Sequence, residues 1–538
     1  MGKTKWFLLF IVHFFLSWPF LNLWFTGDDF VALSTIFSYN PIKILFFRDA
    51  YILFNPYFFT PLLPISFLDG YLFKLDPMGY HLHNYLALFL TALIIYKVAR
   101  IYLPPKYAFL SAVFFLFSIP VFFNIGSLPH RHYNWGCFLV FLGFYLFKDF
   151  EKTGAKSILI LSVLAYFCAL LFKCVFAPFP LVILLLSECN FHKRMGIFMI
   201  YISVFFIYLI WRFYMLGGLG GYMFFPYPSV FQAISALFFH IPYETSKRIW
   251  LMPFFIYLVP IALFIIRPKI GAIFVSLIFM SEIPFIFAPI WPAYGLTGKF
   301  LTLLGIISIA LCFLIYYVEK SFSHFSYYLV CGLILILQVV QLPQAFKEIN
   351  ATSSLVKNTC YRLSKGDIKV VYSHISWVYN YFFLVQHLLQ KQMPHLIGIG
   401  ALDRNNLPLD LYIYERYIDS FSLNDQIFIS SENKQLRYND VKETIVMMGQ
   451  RELLPKPNIK LNYKSHLLKV KIADKRAEGH FRLYFFATLN KGNNLFWSIP
   501  IRKKHFSCPI KKGERIVFIF VSADGKFSEP LIFKEPSN

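Results

Sequence analysis

Long apolar runs alternate with short polar turns through most of the chain, and that spacing predicts helices that cross a bilayer. Windows long enough to span roughly 30 Å of hydrocarbon fall near residues 6–25, 81–99, 107–125, 133–148, 157–172, 174–188, 196–215, 249–266, 270–288, 299–317 and 326–342. They predict about eleven transmembrane helices, several of them short. Residues 1–25, with Lys3 and Lys5 before an apolar stretch, imitate a signal peptide; no small-x-small cleavage site follows, so they read as a retained span.

Past the last window the pattern changes. "DIKVVYSHI" and "NYFFLVQHLLQKQ" predict a strand followed by a helix. From about residue 457, "HLLKVKIA", "HFRLYFFATL", "NLFWSIPI" and "ERIVFIFVSADGKFSEPLIF" predict short strands, with Asp524-Gly525 as a hairpin turn. The expected organisation is a transmembrane domain over 1–345 with a first outer loop over 26–80, a small α/β region over 346–455, and a β-sandwich-like domain over 456–538.

Charge sets the expected orientation. With the N-terminus in the cytoplasm, the loops on that side hold Lys97, Arg100 and Lys106; Lys148, Lys152 and Lys156; Lys193 and Arg194; Arg267 and Lys269; and Lys320, as the positive-inside rule requires. An odd number of spans then exports everything after 343, and the first loop faces outward too. Composition agrees with a multi-pass protein of an inner or plasma membrane: of 538 residues 58% are hydrophobic, 20% aromatic and only 15% charged. A net charge of +23 could suggest nucleic acid, but the basic residues sit in short clusters between apolar runs and form no dense basic face. The eight cysteines show no Cys-x-x-Cys zinc pattern.

The chemistry-bearing residues lie in the outward segments. "FTGDDF" places Asp28 and Asp29 where the first span meets water, a position that suits a general base drawing a proton from a hydroxyl or amine, or equally an acidic helix end in solvent. "LPHRHYN" brings His130, Arg131 and His132 into a short turn, and Lys173 interrupts "YFCALLFKCVFAPFP" where the chain reverses on the same side. Cations at the edge of hydrocarbon usually have an anionic partner; a phosphate suits them, and snorkelling to lipid headgroups is the alternative for Lys173. The glycines of "LGGLGGY", ending at Tyr222, allow close approach of a ligand or another helix. "IWPAYGLTGKF" offers Trp291, Tyr294 and Lys299, the aromatics either stacking on a sugar or forming an interfacial belt. His130 and His132 have no placed carboxylate between them, so no metal site is expected and no cofactor is required; a divalent cation is left open.

Taken in order, these segments resemble the GT-C superfamily of polyprenol-phosphate-sugar-dependent glycosyltransferases, near its protein O-mannosyltransferase and aminoarabinose transferase branch. The likeness runs over roughly residues 20–300. It rests on the acidic pair after helix one, on "FLDGYLFKLDPMGYHLHN" through Asp69, Pro77, Tyr80, His81 and Asn84, on Arg131, on Lys173 and on "GGLGGY". The sequence departs from the family at Cys174 and Tyr133, where acids are usual, at Leu88 in place of a histidine, and at Lys299 in place of an arginine.

The resemblance implies a GT-C-like helical fold and an inverting transfer of a hexose or pentose from a polyprenyl-phosphate donor to a lipid, glycan or protein acceptor. It implies that Asp28 or Asp29 is the base, and that Arg131, Lys173, His130, His132 and Lys299 hold the donor phosphate. Asp69, His81, Asn84, Tyr222, Trp291 and Tyr294 would then face the acceptor and sugar. Two other classes stand beside it: a transporter or flippase of lipid-linked or anionic solutes, which calls for mid-membrane ionisable groups and an internal repeat, and a non-catalytic envelope scaffold, in which the acidic pair is replaceable.

Overall fold

The computed structural model describes residues 3–26, 29, 33, 36, 63–128, 130–216, 252–286, 301–319, 324–365, 370–373, 395–398, 454–464, 467–473, 480–488, 494–501, 505–509, 515–521, 528–529 and 531–534. It divides into two compact units, the first covering residues 1–25, 59–219 and 227–354, the second residues 26–58, 220–226 and 355–538.

The first unit is helical. Its elements are α1 (Lys3–Leu21), α2 (Leu63–Phe73), α3 (Pro77–Tyr102), α4 (Pro105–Leu116), α5 (Ile119–Ile125), α6 (Arg131–Thr153), α7 (Lys156–Phe172), a 3-10 turn (Cys174–Phe176), α8 (Phe179–Leu186), α9 (Phe191–Leu216), α10 (Met252–Ile266), α11 (Pro268–Ile286), α12 (Leu301–Glu319) and α13 (His324–Lys365), the last running on past the unit boundary. The described part of each apolar window is mostly helix. Among the described residues five helices are long and apolar enough to cross a membrane, or six if the α4–α5 pair, bent by 55°, counts as one span. The chain is an integral membrane protein on this ground, and side chains such as Phe15, Ile160, Phe206, Ile210 and Val340 stand exposed on the outside of the bundle, where lipid would cover them.

Two windows depart from a plain span. Residues 174–188 hold a 3-10 turn and an eight-residue helix, because Lys173 is extended (φ −162°, ψ 136°) and Pro178 and Pro180 restart the chain. The window 107–125 breaks at Phe117 and Ser118, before Pro120 in the first turn of α5. The break leaves the Leu116 carbonyl without a helical partner, and it accepts from Nε2–H of the fully buried His13 at 2.9 Å. The expected outer loop 26–80 also contains helix: α2 and the start of α3 lie within it.

The second unit carries the strands β1 (Val370–Ser373), β2 (His395–Gly398), β3 (Ile459–Lys464), β4 (Leu467–Ile472), β5 (His480–Thr488), β6 (Asn494–Ile501), β7 (His505–Pro509), β8 (Arg515–Val521) and β9 (Leu531–Lys534). Six form one sheet in the order β1-β2-β6-β5-β8-β9, and three a second in the order β3-β4-β7. Ile516 to Phe520 are all buried, as expected of a central strand covered on both faces. β1 pairs with β2 and β2 with β6, both in parallel, so one sheet draws strands from both sides of residue 455. The "NYFFLVQHLLQKQ" helix and the Asp524-Gly525 turn lie outside the described residues.

Candidate functional site

At the end of the helical unit where α1 stops and α3 and α6 begin, polar side chains are packed into the core. The local sequence builds this corner. Asp76 caps α3 by accepting from the Met78 N–H at 3.1 Å, Pro77 supplies the first helical position, and Lys74 turns the chain with φ 51°. Gly79 lets α3 approach α2, since a Cβ there would lie 2.2 Å from the Phe73 ring. Tyr80 closes the turn with its hydroxyl on the Lys74 carbonyl at 2.8 Å.

Arg131, the first residue of α6, is the largest fully buried side chain described. Its Nε–H donates to Asn84 Oδ1 at 3.1 Å, Nη2–H to the Tyr80 carbonyl at 2.9 Å, and Nη1–H to Asp69 Oδ2. The fork of the guanidinium is thus directed at α2 and α3. Arg131, expected to grip a donor phosphate, is here a buried cation paired with a carboxylate and bonded on three nitrogens, which ties α6 to α2 and α3.

Asp69, His81 and Asn84, expected on the acceptor and sugar side, are 3%, 0% and 0% exposed. Asn84 donates from Nδ2 to the carbonyls of Asn124 (3.4 Å), Ile125 (3.1 Å) and Ser127 (2.8 Å), closing the C-terminal end of α5. His81 Nδ1–H donates to the Leu21 carbonyl at 3.1 Å, closing α1. Asp69 accepts from Arg131 and, at 2.8 Å, from His83 Nδ1. His83, which no candidate role had singled out, is the member that reaches the surface, its side chain 21% exposed against 4% for Asp69.

Three expected phosphate ligands do come together, around Tyr133. The His132 ring lies 4.1 Å from the Tyr133 ring, the His130 ring 6.3 Å, and Lys173 Nζ sits 5.4 Å from its centroid. The aromatic ring offers the Lys173 ammonium a π face. Among the described residues no three His, Cys, Asp or Glu side chains converge as they would around a metal ion.

The bundle holds a cavity of about 320 Å³ with almost wholly apolar walls, lined among others by Val175 and Phe176, which follow Lys173 in the chain, and by Tyr102, Phe141, Phe144, Leu186 and Thr302. The 3-10 turn reaches α6 because residue 136 is glycine: a Cβ there would fall 2.0 Å from Phe176 Cε2. Beside Tyr102 and Leu186 of that lining, Lys148 Nζ donates to Glu151 (2.5 Å), Glu188 (2.8 Å) and the Leu186 carbonyl (3.1 Å).

Asp29 follows α1 by eight residues of chain and belongs to the second unit. It is 1% exposed, where an exposed carboxylate was expected, and its Oδ2 accepts from the Thr26 N–H at 2.6 Å and the Thr26 hydroxyl at 3.3 Å. Asp28, Tyr222, Trp291, Tyr294 and Lys299 lie outside the described residues. Arg212 was missed from sequence: it sits in the apolar run of α9, 7% exposed, with Nη1 donating to the Tyr208 hydroxyl at 3.0 Å. A lone arginine in "YLIWRFYML" was the available signal.

No protein-family model and no curated protein matches the sequence. Among solved structures the chain is similar to ArnT from Cupriavidus metallidurans in the apo state, at 11% identity over 77% of this chain and 89% of that chain, with a TM-score of 0.41. It is also similar to the Archaeoglobus fulgidus oligosaccharyltransferase tethered through a disulfide bond with an acceptor peptide containing the NVT sequon, at 8% identity over 99% and 98% of the two chains, with a TM-score of 0.43. At such scores neither likeness carries a residue's role to this chain.

Proposed function

We propose that the protein is a membrane glycosyltransferase of the GT-C kind, moving a sugar from a polyprenyl-phosphate donor to a lipid, glycan or protein acceptor on the outer face of the membrane. One observation carries the reading: an apolar cavity inside the helical bundle is lined by Val175 and Phe176, which follow Lys173 in the chain by two and three residues. A dry cavity whose lining begins so near a cation in the chain suits an amphiphile with an anionic head and an apolar chain, which is the form of a lipid-linked phosphate. The ordered motifs of the sequence are the second support.

In this reading all eleven apolar windows cross the membrane and the N-terminus is cytoplasmic. The orientation is supported by Lys97, Arg100, Lys106, Lys148, Lys152, Lys156, Lys193, Arg194, Arg267 and Lys269, which lie on helix ends opposite to the Lys173 end. The acceptor hydroxyl attacks the anomeric carbon from the face opposite the phosphate. Its proton passes to Asp28 or Asp29, and the electron pair of the broken C–O bond leaves with the lipid phosphate. Lys173, with His130, His132 and Lys299, neutralises that leaving group, acting as preorganised charge. Tyr222, Trp291 and Tyr294 contact the sugar or acceptor, and the exported C-terminal region recognises the acceptor.

Sugar transfer from a panel of polyprenyl-phosphate donors, by purified wild-type protein and by Asp28→Asn and Asp29→Asn at matched expression, tests the assignment of the base. Loss of transfer in one variant with donor binding kept is expected. Full transfer by both would remove the acidic pair from the chemistry.

A further inference from the structure

Asp69, Arg131, His83 and Trp135 form a cluster whose charge depends on one proton. The Asp69 carboxylate, on α2, is shared: Oδ2 accepts both from Arg131 of α6 and from His83 Nδ1 of α3, the latter at 2.8 Å. Arginine and aspartate cancel. With neutral His83 the cluster therefore carries no net charge, and with protonated His83 it carries one positive charge, placed on its most exposed member. The hydrogen bond to Asp69 fixes the proton on Nδ1 and leaves Nε2 on the far edge of the ring.

Beside that ring lies Trp135, with centroids 5.4 Å apart and the planes at 77°. The indole Nε1–H is buried and has no acceptor among the described residues. A buried donor left without an acceptor is costly, and next to it the imidazolium would present a second donor. Two such donors call for an oxygen-rich anion. The charged and titratable groups seen to bond or pack on the cluster include Asp69 from α2, Arg131 from α6 and Tyr80 on α3, whose ring centroid lies 5.6 Å from the Arg131 guanidinium, while His81 on α3 is turned to the Leu21 carbonyl.

We propose that protonated His83, oriented by Asp69 and flanked by the Trp135 indole N–H, is a further ligand of the donor's lipid phosphate. The proposal rests on the donor reading given above and deepens it: donor capture gains a proton-dependent component, because His83 supplies the one positive charge that Asp69 does not already balance. Arg131 acts through Asp69 as a positioning residue and does not touch the donor.

The test is binding of polyprenyl phosphate, without sugar, to the full-length protein in nanodiscs between about pH 5 and 8, the interval in which imidazoles titrate. Wild type, His83→Gln and Lys173→Met are compared. Glutamine keeps a donor for Asp69, so the corner of the fold is retained. The expected result is a wild-type affinity that falls about tenfold as pH rises, with His83→Gln holding the high-pH affinity throughout. A merely structural histidine would lower affinity by the same factor at every pH and leave the slope intact, which would overturn the proposal. A flat wild-type profile would overturn it too, as would a wild type whose low-pH loss lies in kcat with polyprenyl phosphate binding unchanged, the mark of a proton acceptor. If Lys173→Met abolishes binding while His83→Gln behaves as wild type, the donor reading stands and this inference fails. If wild type binds no polyprenyl phosphate at any pH, both fall.

Discussion

Replacing Arg131 with methionine separates a clamp from a ligand-binding residue. The side chain is fully buried, and its loss leaves Asp69 with His83 as its remaining described partner, while Asn84 Oδ1 loses the Nε–H donor and the Tyr80 carbonyl loses its side-chain donor. Removing one member of a buried ion pair costs about 3–5 kcal/mol, because the other charge stays behind in a medium that solvates it poorly. Exchange of both members for apolar residues of similar volume is often nearly neutral. Arg131→Met and Asp69→Leu should therefore each lower stability by about 3–5 kcal/mol, and the double variant by much less than the sum. Thermal unfolding in detergent, followed by the fraction of monodisperse protein on size exclusion, reads all four corners of the cycle. An Arg131→Met protein that unfolds with wild type yet no longer binds polyprenyl phosphate would refute the clamp and return Arg131 to the donor site.

Other consequences follow from the same geometry. Lys173→Met should weaken polyprenyl phosphate binding roughly 10- to 100-fold, the worth of one charge-assisted contact, with Lys173→Arg recovering part of it; isothermal titration in nanodiscs measures both. Gly136→Ala places a Cβ against Phe176 at 2.0 Å, so the 3-10 turn must shift. That should cost about 1–3 kcal/mol and weaken long-chain lipid phosphates more than short-chain analogues in competition binding. His13→Leu leaves the Leu116 carbonyl unsatisfied at the α4–α5 break and should lower stability by about 1–3 kcal/mol, read by the same unfolding assay. Because side chains neutralise the leaving phosphate in this account, sugar transfer should survive chelation of divalent cations.

The helices were legible because an apolar run of bilayer length is a signal carried by many residues at once; the interruptions near Pro120 and Pro178 were passed over, because the windows 107–125 and 174–188 stay apolar through them. Asp69, His81, Asn84 and Arg131 were legible as residues of note, but their partners were not. Whether a charge turns into the core depends on partners far along the chain: Arg131 meets an aspartate 62 positions earlier, and His83 meets the same one 14 positions away. The convergence of His130, His132 and Lys173 on Tyr133 was hidden for the same reason, since α7 must return along α6 before Lys173 can arrive there. In the C-terminal part, β5, β6 and β8 announced themselves by dense β-branched and aromatic residues. β3 and β7, in "IKLNYK" and "HFSCP", are short and mixed with polar residues, and the parallel pairing of β2 with β6 joins segments about a hundred residues apart with no local mark.

The most direct test of the central claim is a transfer assay in proteoliposomes loaded with a radiolabelled polyprenyl-phosphate sugar and a mixed pool of envelope acceptors, comparing wild type with Lys173→Met. The account predicts label released from the lipid and joined to an acceptor by wild type, and none by the variant. Label that stays on its lipid but changes leaflet would contradict the account and make the protein a flippase; equal transfer by both proteins would remove Lys173 and its cavity from the donor site.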